Sequence, residues 1–129
     1  MRVIASVIAS ATRSTTTFTP TKTALHAIAE AARNNNTCET ALHHIGGDLL
    51  SYGELWHDCA CAAHTIARTA QGQPVATLCD EAPHSVIALL SISIAGCIIV
   101  PLDPASPTAR LQLLLEDSSV VLAICETVE

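Results

Sequence analysis

The sequence is poor in aromatic and in charged residues. Only three of its 129 residues are aromatic, Phe18, Tyr52 and Trp56, so the chain offers no platform on which bases or sugars could stack. Charged residues make up 14% of the chain and give a formal net charge of −6. Because a nucleic-acid-binding protein needs a basic face that neutralises phosphates, this charge argues against a nucleic-acid partner.

Half of the residues are hydrophobic and the mean hydropathy is +0.42, which is not the composition of a disordered chain. The length is that of one domain, so we expect one compact unit. Six cysteines occur without a C-x-x-C pair, at Cys38, Cys59, Cys61, Cys79, Cys97 and Cys125. This spacing favours thiols that are mostly buried, in a reducing compartment, over disulfides or a metal site.

Residues 1–20 differ in composition from the rest. They contain Arg2 and Arg13, no acidic residue, and a Ser/Thr cluster after a short apolar run. Such a segment is typical of a mitochondrial presequence. It could also be a secretory signal with a cleavage site at Ala9–Ala11, or a disordered leader. These three alternatives stay open. We expect residues 1–20 to be a leader, disordered or targeting-like, and 21–129 the folded part. The expected location is cytoplasmic, with mitochondrial import as the alternative.

The longest apolar run extends from Val86 to Leu102, which is the short limit of the roughly 17–25 residues that span a bilayer. Gly96 interrupts this run, and the β-branched residues after it suit a buried strand. A helix, a glycine turn and a strand therefore explain the run better than a membrane span.

From residue 21 onward, helical and strand patterns alternate. Ser51 and Glu54 have the spacing of a capping box, which predicts a helix that begins at Tyr52. A helix–strand alternation with short loops is typical of a parallel sheet covered by helices. The predicted elements up to the sheet are a helix Thr23–Arg33, a hairpin of strands Thr40–Ile45 and Asp48–Ser51 around Gly46-Gly47, and a helix Tyr52–Thr69. The predicted strands of the parallel sheet are Pro74–Cys79, Cys97–Val100 and Val120–Ile124. Two helices are predicted between them: one is capped by Asp80 or Glu81, has Pro83 in its first turn and ends near Ala95, and the other extends from Ser106 or Thr108 to Glu116.

Two stretches carry a resemblance to a known family. The sequence LSYGEL at Leu50–Leu55 is similar to the first core motif of the adenylate-forming superfamily, in particular of the adenylation domains of nonribosomal peptide synthetases. AGCIIVPLDP at Ala95–Pro104 resembles the second motif, and Pro107, Arg110-Leu111 and Leu115–Ser118 continue the similarity. We therefore expect an α/β fold with an incomplete parallel, Rossmann-like sheet and flanking helices, preceded by a helix and a small hairpin.

The sequence departs from the family pattern at several positions. Ile94 stands where the family usually has lysine, and Ile99 and Ser106 stand where tyrosines are frequent. The linker Ala70–Gln73 is shorter than usual. These changes leave the expected fold intact and indicate a divergent or decaying copy.

The resemblance implies a reaction in which Mg·ATP activates an amino or carboxylic acid to an acyl-adenylate, followed by transfer to a phosphopantetheine or CoA thiol. The family's phosphate loop, ribose-binding acid and catalytic lysine all follow the region that resembles this chain. We therefore expect no catalytic, cofactor-binding or metal-binding residue here. The segment Ser14–Lys22 superficially resembles a phosphate loop, but it has no glycine and precedes the first motif. Lys22 is the only lysine, so no other residue could be the catalytic lysine.

Other polar groupings have structural interpretations. His57, Cys61 and His64 share one helix face at a spacing that could hold Zn²⁺ or Cu²⁺, but no fourth ligand is evident and solvent exposure explains the face. His43 and His44 point to opposite faces of a strand. We expect Asp103 to turn the backbone and Glu54 to cap a helix rather than to catalyse.

The sequence thus predicts the N-terminal part of an AMP-forming adenylating enzyme that is inactive alone. Its partner is expected to be the remainder of an adenylation domain or a second copy. One alternative is a non-catalytic fragment that docks on a complementary or homologous synthetase chain. Another is a small imported protein without catalysis. Neither nucleic acid nor a membrane span is expected.

Overall fold

The computed structural model describes residues 23–34, 38–43, 47, 49–79 and 83–126. The chain divides into two compact units, Met1–Asp58 and Cys59–Glu129, where its length alone predicts one. The predicted boundary between residues 20 and 21, like the leader itself, lies outside the described residues and stays a prediction.

The first unit begins with helix α1, Ala24–Arg33. Thr23 is its N-cap, and the Thr23 hydroxyl oxygen accepts a 3.4 Å hydrogen bond from the backbone N–H of His26. Ile28 and Ala29 are buried, so the helix packs with its apolar face. The helix predicted over Thr23–Arg33 is confirmed to within one residue.

Strands β1, Thr40–His43, and β2, Leu49–Ser51, form the predicted antiparallel hairpin. Their register shifts between Thr40 and Leu42, which is the signature of a β-bulge. The shift explains why the neighbouring residues Ala41 and Leu42 are both buried, although a regular strand would expose one of them. Most of the predicted turn around Gly46 lies outside the described residues.

Helix α2, Tyr52–Ala70, begins in the first unit and ends in the second, and it matches the predicted helix within one residue. One face of the helix is a buried stripe of apolar side chains, in which Ala62 is half-buried and the others are buried: Leu55, Cys59, Ala63, Ile66 and Ala70. After the helix, Gly72 takes a φ of +73°, a backbone conformation that glycine adopts without strain. This turn leads directly into the sheet of the second unit.

The sheet of the second unit has three parallel strands in the order β4-β3-β5. The strands are β3, Pro74–Leu78, β4, Ile98–Pro101, and β5, Leu122–Cys125. Two helices connect them: α3, His84–Ile94, between β3 and β4, and α4, Thr108–Asp117, between β4 and β5. The expected α/β fold with a parallel sheet and flanking helices is confirmed.

The core of this unit lies between the central strand and two helices. Ile66 and Ala70 of α2, Val75 of β3 and Ile92 of α3 are buried together. Half-buried apolar residues complete the cluster, namely Ala95, Cys97, Ile99, Leu122 and Ile124. Strand β3 is central because both of its sides are paired, and its residues 75–77 are all buried.

Three of the predicted element boundaries are wrong. Pro83 is the N-cap of α3 rather than a first-turn residue, and its side chain makes no capping bond, while Asp80 and Glu81 lie outside the described residues. Strand β4 includes Pro101, although the predicted strand ends at Val100 because a proline cannot donate to a ladder of hydrogen bonds. Strand β5 starts at Leu122 rather than Val120, because Val120 belongs to the turn that ends α4.

The run Val86–Leu102 folds as predicted, into helix α3, a glycine turn and strand β4. In the part of the chain that the structure describes, no helix is both long enough and apolar enough to cross a membrane.

Candidate functional site

The first family-like motif is a helix cap. The Glu54 carboxylate oxygen Oε2 accepts hydrogen bonds from the Ser51 backbone N–H (2.9 Å) and the Ser51 hydroxyl (2.7 Å). In return, the Glu54 backbone N–H donates to the Ser51 hydroxyl oxygen at 3.3 Å. The bonds from the Ser51 hydroxyl and backbone N–H hold the pKa of Glu54 below its ordinary value. The predicted capping box is confirmed, and Glu54 is occupied in building the start of α2.

The second motif begins at the end of helix α3. Gly96 has a φ of +71°, its N–H donates to the carbonyl of Ser93 (3.1 Å), and the N–H of Cys97 donates to the carbonyl of Ile92 (3.1 Å). These two bonds define a Schellman motif with Gly96 in its left-handed position. The predicted role of Gly96 is therefore confirmed.

The second motif ends in a tight turn. The Asp103 side-chain oxygen Oδ1 accepts a hydrogen bond from the Ala105 backbone N–H (2.9 Å), and the Asp103 carbonyl accepts one from the Ser106 N–H (3.0 Å). Such a side-chain bond mimics a backbone turn and is a common role of Asp in loops. The prediction that Asp103 turns the backbone is confirmed, and the chain enters α4 two residues after Ser106.

A cavity of about 430 Å³ lies in the second unit, where β3 and β5 end and α3 begins. His84 and Glu126 are in hydrogen-bond contact at its border, with 2.7 Å between His84 Nδ1 and Glu126 Oε1. In open α/β sheets, ligands bind beyond the carboxyl ends of the strands, which is where this cavity lies. The lining residues are Ala62, Cys79, His84, Ile87, Ala88, Ser91, Ile124, Cys125 and Glu126.

The sequence did not predict this cavity or the contact between His84 and Glu126. Their positions in the sequence could have indicated the contact, because His84 is the first residue of the helix after β3 and Glu126 directly follows β5. The carboxyl ends of neighbouring parallel strands lie at the same end of a sheet, which brings residues that follow them close together. Two strand-end thiols, Cys79 and Cys125, line the same cavity.

The cysteines are thiols, as predicted, but their expected burial is wrong. All six belong to the described part of the chain, and none forms a disulfide. Only Cys59 is buried, whereas Cys38, Cys61 and Cys125 are exposed. Cys61 lies on the solvent side of α2, opposite the buried stripe, and Cys125 ends an edge strand, so neither position demands an apolar environment.

The histidine face of α2 is exposed at His57, Cys61 and His64. Within the described residues, no three His, Cys, Asp or Glu side chains are placed to hold a metal ion. His43 is exposed on β1, while His44 lies outside the described residues. The helix face thus has the solvent exposure that the sequence pattern indicated.

The described residues do not fit the triphosphate of ATP. The residues that line the cavity include neither a lysine nor an arginine that could neutralise the charge of a phosphate. The cavity border carries a carboxylate, Glu126, which repels phosphate oxygens. The segment Ser14–Lys22 lies outside the described residues. No reaction step can be derived from the groups that the structure brings together.

The family model described as "AMP-binding enzyme" matches residues 28–129. One of the plipastatin synthase proteins of Bacillus subtilis is 32% identical over 121 residues, which cover 92% of this chain and 5% of that protein. A surfactin synthase protein of the same organism is 32% identical over 111 residues, 81% of this chain and 3% of that protein.

Two solved structures resemble the fold. An artificially fused adenylation–PCP di-domain from Klebsiella oxytoca, NpsA-ThdA, has a TM-score of 0.68 at 21% identity and covers 78% of this chain. Apo MatB from Rhodopseudomonas palustris has a TM-score of 0.67 at 19% identity and covers 77%. The matched region makes up 19% and 21% of those chains. The chain thus spans about a twentieth of the plipastatin synthase protein and about a fifth of each solved relative.

Proposed function

Because the chain belongs to the AMP-binding enzyme family, in which residues 28–129 correspond to the N-terminal part of an adenylation domain, we propose that it supplies scaffold and not catalytic groups. The parent reaction would be ATP-dependent activation of an amino or carboxylic acid to an acyl-adenylate, followed by thioester formation. The isolated chain would not carry out this reaction.

One observation carries the proposal. Four polar or glycine residues of the two motifs contribute to local structure. Ser51 and Glu54 cap a helix, Gly96 ends one, and Asp103 forms a turn. None of them is left to bind or transfer a phosphoryl group, and such chemistry requires preorganised donors and cations around the phosphates.

ATP, Mg²⁺ and the phosphopantetheine or CoA thiol would accordingly bind to the remainder of the domain. The Klebsiella oxytoca NpsA N-terminal subdomain was solved with 3-hydroxyanthranilyl-AMSN, and it is about five times as long as the region that this chain matches. The likeness is a TM-score of 0.57 over 63% of this chain.

The proposed partner is the remainder of an adenylation domain. The alternative is a docking fragment that binds a complementary or homologous synthetase chain, or self-association. One observation favours association of either kind: Leu113 and Val121 are 65% and 52% exposed. Light scattering of the purified chain distinguishes a monomer of 13.5 kDa from an assembly.

The proposed location is the cytoplasm, with residues 1–20 as a leader. Import into mitochondria is the alternative that the acid-free segment keeps open. Imaging of the chain with a C-terminal fluorescent tag, with and without residues 1–20, decides between them.

Replacement of the matching segment in a related enzyme tests the proposed function. Residues 28–129 would replace their counterpart in the matched adenylation domain of the plipastatin synthase protein, and amino-acid-dependent ATP–pyrophosphate exchange would be measured. We expect exchange to persist, because the nucleotide-binding groups come from the host. A folded chimera without exchange would contradict the proposal.

A further inference from the structure

A cysteine and a histidine lie side by side on the exposed face of α2. Cys61 and His64 are three residues apart in the middle of this helix, and both side chains are exposed. Residues at this spacing are neighbours on a helix surface, with Cβ atoms about 5–6 Å apart. Because both side chains can rotate in solvent, the Cys61 sulfur and an imidazole nitrogen of His64 can bind one metal ion together.

Zinc is the ion that suits this pair of ligands. Zn²⁺ binds thiolate sulfur at about 2.3 Å and imidazole nitrogen at about 2.0–2.1 Å, and structural zinc sites are almost always tetrahedral with four protein ligands. One chain supplies only two ligands in Cys61 and His64. This agrees with the finding that, within the described residues, no three His, Cys, Asp or Glu side chains could hold an ion. The site therefore needs a second pair of ligands from elsewhere.

We propose that two copies of the chain bind one Zn²⁺ between their α2 helices, each copy through Cys61 and His64. A two-fold axis through the ion brings the same pair from the second copy and completes a tetrahedron of two sulfurs and two nitrogens. Each thiol loses its proton to solvent when its sulfur binds, and each imidazole binds through a neutral nitrogen. The two thiolates then balance the charge of the ion. Zinc binding of this kind does not depend on the proposed function.

The charges along α2 favour an antiparallel arrangement of the two helices. With the two-fold axis between positions 62 and 63, Asp58 of one copy comes opposite the turn that carries Arg68 of the other copy. A parallel arrangement would instead place like charges opposite each other. Both residues are exposed, so they can approach without desolvation of a buried charge. Their attraction offsets part of the repulsion between two chains that each carry a net charge of −6.

Titration of metal into the full 129-residue chain tests the proposal. Calorimetry should give one Zn²⁺ for two chains, and light scattering should show that zinc doubles the mass of the 13.5 kDa chain and that EDTA reverses the change. Co²⁺ in place of zinc should give the intense visible bands of tetrahedral cobalt and a near-ultraviolet charge-transfer band from thiolate, which report the ligands whatever the mass of the metal-free chain. Binding of one ion per chain, or no binding, would overturn the proposal.

Matched variants identify the ligands. Cys61→Ser and His64→Ala each remove one proposed ligand, and we expect each to lower the zinc affinity at least about tenfold and to abolish the tetrahedral cobalt bands. Cys125→Ser removes another exposed thiol, and His57→Ala removes another exposed imidazole from the same helix face. We expect neither control to change the affinity or the bands. Loss of the bands in His57→Ala but not in His64→Ala would overturn the assignment of the ligands.

A charge reversal tests the antiparallel arrangement. Arg68→Asp places two acidic residues opposite each other, and we expect it to weaken zinc-dependent dimerisation about two- to tenfold. Addition of Asp58→Arg to the same chain should restore dimerisation, because unlike charges then meet again. In a parallel arrangement the double variant would still place like charges together. A double variant no stronger than Arg68→Asp would therefore overturn the antiparallel arrangement.

Discussion

Helices α3 and α4 end in the same way but are packed differently. Each precedes a parallel strand, and each ends in a Schellman motif. In α4, the N–H of Ser119 donates to the carbonyl of Glu116 (3.1 Å) and the N–H of Val120 to the carbonyl of Leu115 (3.2 Å), which repeats the bonds around Gly96. Helix α3 buries Ala88, Ser91 and Ile92, whereas α4 buries no residue.

The difference separates what local sequence determines from what the rest of the molecule determines. The end of each helix depends on a few neighbouring residues, so both ends form. Burial depends on a partner surface, which α3 finds on the sheet. Helix α4 finds such a surface only in part, because Leu111, Leu114 and Leu115 are half-buried. In a complete adenylation domain we expect the exposed side of α4, including Leu113, to be covered.

Truncation of one apolar side chain in each helix should give the largest contrast. Ile92 has no exposed surface, so Ile92→Ala should lower the free energy of unfolding by about 2–5 kcal/mol. Leu113 is 65% exposed, and Leu113→Ala should change it by less than about 0.5 kcal/mol. Denaturation in urea measures both values, and similar losses for the two variants would refute the contrast.

A substitution at the end of α3 should have the next largest effect. No atom lies within 4 Å of a Cβ built on Gly96, so the cost of a side chain comes from its φ of +71° alone. We expect Gly96→Val to destabilise the fold by about 1–2 kcal/mol, because L-residues are strained in the left-handed region. Its melting temperature should fall below those of variants in residues 1–20. An unchanged melting temperature would contradict the helix–turn–strand junction.

The end of α4 should respond in the opposite direction. Ser119 is the one described residue other than glycine with a positive φ, at 50°. Ser119→Gly should stabilise the chain by about 0.5–1 kcal/mol, because relief of backbone strain exceeds the added entropy of the unfolded chain. Thermal denaturation beside Ser118→Gly, which replaces a residue with negative φ, provides the control. Equal shifts for the two variants would argue against strain at Ser119.

The smallest effect concerns the start of α2. The folded pKa of Glu54 lies below its ordinary value of 4.5, so this carboxylate stabilises the fold above that pH and the contribution disappears as the pH falls through the folded pKa. Glu54→Gln should flatten this acid part of the stability profile, which denaturation in urea over a series of pH values measures. A parallel profile for Glu54→Gln and the parent chain would exclude the cap as the cause.

The sequence predicted those parts of the fold that depend on neighbouring residues. The Ser51–Glu54 cap and the Gly96 turn are local patterns, and both formed as expected. Pro101 was misjudged because its fit depends on β4 being an edge strand, which only the strand order reveals. The exposure of Cys61 and Cys125 and the His84–Glu126 pair also depend on tertiary placement.

The division between scaffold and chemistry is the central claim, and calorimetric titration of the 129-residue chain with Mg·ATP tests it most directly. Circular dichroism of the same sample must show the α/β fold, and the chain joined to the remainder of a related adenylation domain serves as the positive control. The account predicts no measurable heat of binding for the 129-residue chain and binding by the joined chain. Micromolar affinity of the unjoined chain for Mg·ATP would contradict it.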